Sequence, residues 1–190
     1  MKRVLILIVT VMMLGLAVQA YADSATTGTA RVMVNVDPII AITPGVPPIP
    51  TVQFGVFTIP VPFTIGANYQ TLRFSVMATD LYKADVVGIT GQQVPPIPLV
   101  LTRDCLFQLT SGNAINGLTN VIPAPFARLG SDVINTLPAY TSSSRVFQSS
   151  QAGHFSQDVT LSCFWNQNDN EKPKGQYSGF VRLIGVVVPD

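Results

Sequence analysis

The segment Val159-Thr-Leu-Ser-Cys-Phe-Trp165 is the strongest indication of the fold class, because its apolar residues stand at every second position. Successive side chains of a β-strand point to opposite faces, so this period of two indicates a strand with one face in a core. Residues 99–109 repeat the pattern. The apolar residues that share one parity there are Leu99, Leu101, Cys105, Phe107 and Leu109.

Two further segments alternate in the same way, at residues 30–36 and 72–77, and none shows the three-to-four spacing of an amphipathic helix. The segment 177–188 is apolar on both parities, which is typical of a strand covered on both faces. Turn residues separate the runs, with Asn116-Gly117 as the strongest hairpin signal. The sequence therefore predicts an all-β fold, an immunoglobulin-like β-sandwich of about seven short strands.

The first twenty-two residues have the layout of a secretory signal peptide. Lys2 and Arg3 precede the uncharged run 4–18, and Ala20-Tyr21-Ala22 is a small-x-small cleavage site. The alternative is a membrane anchor, but fifteen helical residues extend only about 22 Å, against roughly 30 Å of bilayer core. We predict cleavage after residue 22, export through the periplasm, and no membrane span in the mature chain.

The only two cysteines are Cys105 and Cys163, and each lies on the apolar parity of its strand. An oxidising compartment favours their pairing, which would pin two strands together. Two buried free thiols are the alternative.

Composition favours a structural or binding protein over an enzyme. Charged residues make up only 11% of the 190 residues, the net charge is +1, and there is a single histidine, His154. This balance excludes a basic nucleic-acid-binding domain. The sequence carries no nucleophile elbow, P-loop or zinc-protease motif. We predict no catalytic residues, no metal site and no cofactor.

Proline-rich segments interrupt the pattern. The pentapeptide Val-Pro-Pro-Ile-Pro occurs at 46–50 and again at 94–98. Because proline cannot donate a ladder hydrogen bond, both copies are predicted to be edges or connectors.

The mature chain begins with the segment Thr29-Ala-Arg-Val-Met-Val-Asn-Val-Asp-Pro-Ile-Ile-Ala-Ile42 and ends with Gly175-Gln-Tyr-Ser-Gly-Phe-Val-Arg-Leu-Ile-Gly-Val-Val-Val188. These two segments resemble fimbrial subunits of the chaperone–usher pathway, particularly major pilins of colonisation-factor type. The cysteine pair and the proline-rich repeats depart from those pilins. Spore-coat-U-like secreted domains are a second resemblance.

The resemblance implies a pilin-type domain over 37–190 that lacks one strand, with residues 23–36 as the extension that completes a neighbouring subunit. The implied donor residues are Ala30, Val32, Val34 and Val36. The implied groove and chaperone-binding strand carries Phe180, Val181, Leu183, Ile184, Val186 and Val188. The chaperone would hold the terminal carboxylate at Asp190.

The implied partners are identical or related pilin subunits, a periplasmic chaperone, an outer-membrane usher and a host-surface receptor. The implied function is a structural subunit of a surface fimbrium that supports adhesion. The alternation at 30–36 is also typical of the domain's own first strand. A secreted, self-complete adhesin or coat protein that binds carbohydrate is therefore the alternative, with Trp165, Tyr177 and the polar loop 166–175 as its candidate surface.

Overall fold

The computed structural model describes residues 31–83, 94–115 and 120–189. The predicted signal peptide, the extension as far as Ala30, the Asn116-Gly117 hairpin and Asp190 lie outside the described residues.

The described residues form thirteen β-strands and no helix, which confirms the predicted all-β class. The strands are β1 (Ile40–Pro44), β2 (Gly55–Ala67), β3 (Thr71–Thr79), β4 (Tyr82–Lys83), β5 (Cys105–Gly112), β6 (Ala114–Ile115), β7 (Val121–Ile122), β8 (Val133–Ile134), β9 (Leu137–Thr141), β10 (Arg145–Ser149), β11 (Phe155–Gln167), β12 (Tyr177–Ser178) and β13 (Val181–Val187).

The first sheet has the strand order β1-β2-β11-β5-β7. Its spine is the antiparallel pair of β2 and β11, which runs from Gly55 opposite Gln167 to Ala67 opposite Phe155. The inward residues of β11 from Phe155 to Trp165 are buried, as the alternation at 159–165 predicts.

The second sheet is built around β3. Strand β13 pairs along one side of β3, and β10 and β9 follow one another along its other side. Strands β6 and β8 extend this sheet through β10 and β9, while β4 and β12 form a separate two-stranded ladder.

Aromatic side chains join the two sheets. Phe74 on β3 lies 5.6 Å from Phe107 on β5, measured between ring centroids. Phe107 in turn lies 4.7 Å from Phe147 on β10. These three rings are buried and belong to one continuous core, so the sheets pack face to face as a β-sandwich does.

The predicted disulfide between Cys105 and Cys163 is confirmed. Their Cα atoms are 4.6 Å apart, the spacing of a non-hydrogen-bonded pair on neighbouring antiparallel strands. The bridge therefore joins β5 and β11 within one sheet. In antibody domains the conserved bridge joins the two sheets, so the immunoglobulin type stays a prediction.

The two proline-rich copies differ in their surroundings. Residues 46–50 form an exposed connector between β1 and β2, as predicted. In the copy at 94–98, Ile97 is buried and exchanges both backbone hydrogen bonds with Leu81. The second copy can join a sheet because the isoleucine between its prolines keeps an N–H.

Candidate functional site

Among the described strands β13 pairs with β3 alone, and two hydrogen bonds determine which of its residues face β3. The Val188 N–H donates to the Thr71 carbonyl at 3.1 Å, and the Thr79 N–H donates to the Phe180 carbonyl at 3.0 Å. Backbone groups alternate sides along a strand. The even-numbered residues of β13 therefore bond to β3, and the odd-numbered ones point away from it.

The odd-numbered residues form what we call the free edge, which consists of Val181, Leu183, Gly185 and Val187. Within the described residues, no hydrogen-bond partner is found for the backbone groups that they turn outward in the sheet plane. Their side-chain positions face the core, where Leu183 is buried and Val181 and Val187 are partly buried. The free edge thus presents backbone hydrogen-bonding groups to an added strand, next to the apolar side chains of the core.

The even-numbered residues lie on the outer face. Val186 is 55% exposed and Phe180, just before the strand, is 38% exposed, while Ile184 is half-buried. The prediction that this segment is covered on both faces is wrong, because no described element packs over its outer side. Val188, beyond the strand end, is half-buried.

Strand β1 lies opposite β13 across the sandwich. A Cβ atom added to Gly185 would lie 3.1 Å from Ile42 Cδ1 and 3.0 Å from Phe74 Cε1. Glycine at 185 therefore makes room for the Ile42 side chain. Ile40 and Ile42 are partly buried, so β1 and β13 form two apolar walls at one side of the sandwich.

Strand β2 also has an edge beyond the end of β1, but this edge cannot accept an added strand as β13 can. Strand β1 covers β2 only as far as Phe63, which leaves residues 55–62 as an edge. The Gly45 N–H donates to the Pro62 carbonyl, so the even-numbered residues of β2 face outward. Pro60 and Pro62 have no N–H to offer there, and prolines at such positions block strand addition.

The extension before the domain carries no strand in its described part, residues 31–36. Val32, Val34 and Val36 are 85%, 80% and 73% exposed. The extension joins the domain at Asp37–Ile39, where the Asn68 side chain holds the backbone. Its amide donates to the Asp37 carbonyl at 2.9 Å and its oxygen accepts from the Ile39 N–H.

The structure buries one member of the candidate carbohydrate surface, as the parity that Trp165 shares with Cys163 predicts. Trp165 is 1% exposed, and its indole N–H donates to the Thr79 carbonyl at 3.0 Å. Its ring cannot stack on a sugar because the core parity of β11 carries it inward. The Tyr177 hydroxyl donates to the Pro173 carbonyl at 2.9 Å, which ties this ring to its own loop.

In the described ranges no three His, Cys, Asp or Glu side chains cluster as a metal site would need. Burial raises the pKa of Asp80, and the hydrogen bond from the Leu99 N–H opposes that rise. Burial likewise raises the pKa of Tyr82 and Tyr140, with the Asp80 charge adding to it.

The part of the chain that the structure describes contains no helix long and apolar enough to cross a membrane.

Sequence reasoning missed four members of the site, namely Gly185, Val187, Ile40 and Ile42. The first two share the parity of Val181 and Leu183, which is a signal that could have found them. No sequence pattern brings β1 opposite β13, since that placement depends on the packing of two sheets.

Comparison with protein families, with curated proteins and with solved structures gave no match to this chain.

Proposed function

We propose that this protein is a structural subunit of a surface fimbrium that polymerises by donor-strand exchange. The extension of one copy adds a strand to the free edge of β13 in the next. The observation that carries the proposal is the free edge itself, a row of backbone groups beside a hydrophobic core for which the described residues provide no partner.

The extension and the free edge match in period. In an antiparallel ladder, residues directly opposite one another have side chains on the same face. Val36, Val34 and Val32 can then stand opposite Val181, Leu183 and Gly185. Val32 then lies opposite Gly185, which has no side chain and whose Cβ position lies next to the Ile42 side chain.

Burial supplies the driving force in this proposal. The three valines are mostly exposed in the single chain. Fully burying one such side chain contributes about 1.5–3 kcal/mol. Each new backbone hydrogen bond adds about 0.5–1.5 kcal/mol, and ordering the extension opposes both gains.

The proposal includes the partners that handle an open edge before assembly. An uncovered strand beside apolar residues is a template for aggregation. A periplasmic chaperone that lends a strand, and an outer-membrane usher that exchanges it, would protect the free edge until the next subunit arrives. Export by the predicted signal peptide places the assembled subunits at the cell surface, where they support adhesion.

Hydrogen exchange on β13 tests the proposal at single-residue level. The mature chain is incubated with a synthetic peptide of residues 29–37 and compared with the same peptide carrying Val34→Asp. Donor-strand addition protects the amides of Val181, Leu183 and Gly185 in the first case only. The amides of Arg182 and Ile184 already bond to β3, so they serve as internal controls.

A lack of added protection at the odd-numbered residues contradicts the proposal. That result would favour the self-complete secreted protein, in which 31–36 is only a leader to the domain. Protection that is equal with the Val34→Asp peptide would show that the valines do not enter the core, and would also contradict it.

A further inference from the structure

The extension leaves the domain at one end of the sandwich, which we call the arm end. Asn68 lies in the turn between β2 and β3 and holds Asp37 and Ile39. The C-terminal end of β13 lies at this end too, because Val188 bonds to Thr71 at the start of β3.

The N-terminal end of β13 lies at the opposite end, which we call the far end. There Phe180 bonds to Thr79, the last residue of β3. The nine residues of β3 separate the two ends by about 27 Å at the usual rise of a strand.

The arm end carries a surface depression of about 340 Å³. Its lining residues are Ile39, Gly66, Ala67, Asn68, Gly153 and His154. Ile39 is 61% exposed although it is a large apolar residue. Two glycines in the lining keep the depression open, because they place no side chain in it.

We infer that, in the assembly, the depression at the arm end of one copy receives Phe180 at the far end of the next copy. This inference rests on the proposed function, and it adds a second contact between subunits outside the donor strand. The occupant is thus a second copy of this chain, and its contributing group is an aromatic ring.

The direction of the donor strand decides which ends meet. A parallel strand would bring the neighbour's domain to the acceptor's arm end, where the acceptor's own extension leaves. An antiparallel strand brings the neighbour's arm end to the acceptor's far end, which leaves every extension free for the next copy. Only the antiparallel arrangement repeats head to tail as an open line.

The short segment between the donor strand and the domain then places the neighbour's depression beside Phe180 of the acceptor. With Val36 opposite Val181, the neighbour's chain leaves the free edge next to Phe180. Residues 37–39 alone separate that point from the depression, and three residues reach at most about 10 Å. Because Asn68 fixes these residues to the domain, the neighbour cannot swing its arm end far away.

The chemistry of the two surfaces is complementary. Phe180 presents an exposed aromatic face, and the depression offers Ile39 with backbone walls at Gly66 and Gly153. Contact removes apolar surface of both partners from water. Aromatic anchors that fill a pocket commonly dominate the energy of an interface.

Paired cysteine variants test this contact separately from the donor strand. In the first pair, one full mature chain carries Phe180→Cys and the other carries His154→Cys. In the second pair, Asn35→Cys is mixed with Arg182→Cys, two outward positions that face each other in the proposed register. Each pair is refolded together with the native disulfide intact and treated with a short bismaleimide.

Covalent dimers from both pairs support the inference. Leu106→Cys, 46% exposed on the first sheet, replaces Phe180→Cys as a matched control and should give no dimer with His154→Cys. Phe180→Ala in the otherwise unchanged chain should speed subunit dissociation by about tenfold, as expected for loss of an anchor worth about 1.4 kcal/mol.

The two proposals fail differently. Dimers from Asn35→Cys with Arg182→Cys, but none from Phe180→Cys with His154→Cys, overturn the end-to-end contact and leave donor-strand exchange standing. An absence of dimers from both pairs overturns both proposals.

Discussion

Reducing the Cys105–Cys163 bridge should lower the free energy of unfolding by about 4 kcal/mol. The bridge spans a sequence separation of 58 residues. The chain-entropy relation for a closed loop of that size gives about 4 kcal/mol at 25 °C. Because a single domain is usually stable by about 5–15 kcal/mol, the bridge accounts for a large share of the total.

The structure indicates that reducing the bridge changes the free energy of the unfolded chain more than that of the folded chain. The two cysteines form a non-hydrogen-bonded pair directly next to Ser162 and Leu106, where the pairing of β11 with β5 ends. Two thiols can occupy the same buried positions without moving the strands. The folded state should therefore change little on reduction, whereas the unfolded state gains the freedom of the opened loop.

The measurement is a pair of urea titrations followed by far-ultraviolet circular dichroism. Cys105 and Cys163 are 0% and 1% exposed, so the bridge is reduced in the unfolded chain before refolding. The reduced protein should unfold at a lower urea concentration and show a steeper dependence on urea, since its unfolded chain exposes more surface.

A double variant distinguishes the stability contributed by the covalent bridge from that contributed by the packing of the buried sulfur atoms. Cys105→Ala with Cys163→Ala should lose the same 4 kcal/mol or so, plus the cost of two small voids. If reduction changes the free energy of unfolding by less than about 1 kcal/mol, the loop-closure reasoning is wrong.

Three further predictions concern single residues. Gly112→Ala should lower the free energy of unfolding by at least about 2 kcal/mol in urea titrations, because φ is +140° and the new Cβ would lie 2.6 Å from Gln157 Cα; unchanged stability would contradict this geometry. Trp165→Phe should cost about 2–4 kcal/mol in the same assay, since the buried Thr79 carbonyl loses its donor, and a neutral result would show that water or another group replaces it. Burial raises the pKa of Asp80, so its contribution to stability is present below its unfolded pKa and is lost as the pH rises through the folded pKa. Asp80→Asn, which keeps an oxygen for the Leu99 N–H, should therefore be more stable than the native chain at pH 7 and lose that advantage in acid, as thermal unfolding at several pH values would show.

Much of the strand content could be predicted from period alone. The alternating segments 72–77 and 159–165 lie within β3 and β11, and the apolar segment 177–188 contains β13. Of the segment 99–109, only the part from Cys105 onward belongs to β5. Strand β2 was not predicted, because Pro60 and Pro62 interrupt its pattern. It forms nevertheless, since both prolines turn their missing N–H away from β11.

Three features follow from the amino-acid sequence alone: the all-β class, the inward position of both cysteines on their strands, and the period of two in Val32, Val34 and Val36. These are local properties, because alternation and turn chemistry act between near neighbours in the chain. The packing of distant strands places Cys105 and Cys163 in one sheet and, among the described residues, gives β13 a partner strand on one side alone. The sequence does not distinguish the two edges of a strand, since the backbone groups along both edges are the same. Which edge stays free depends on how distant strands fill the space around it.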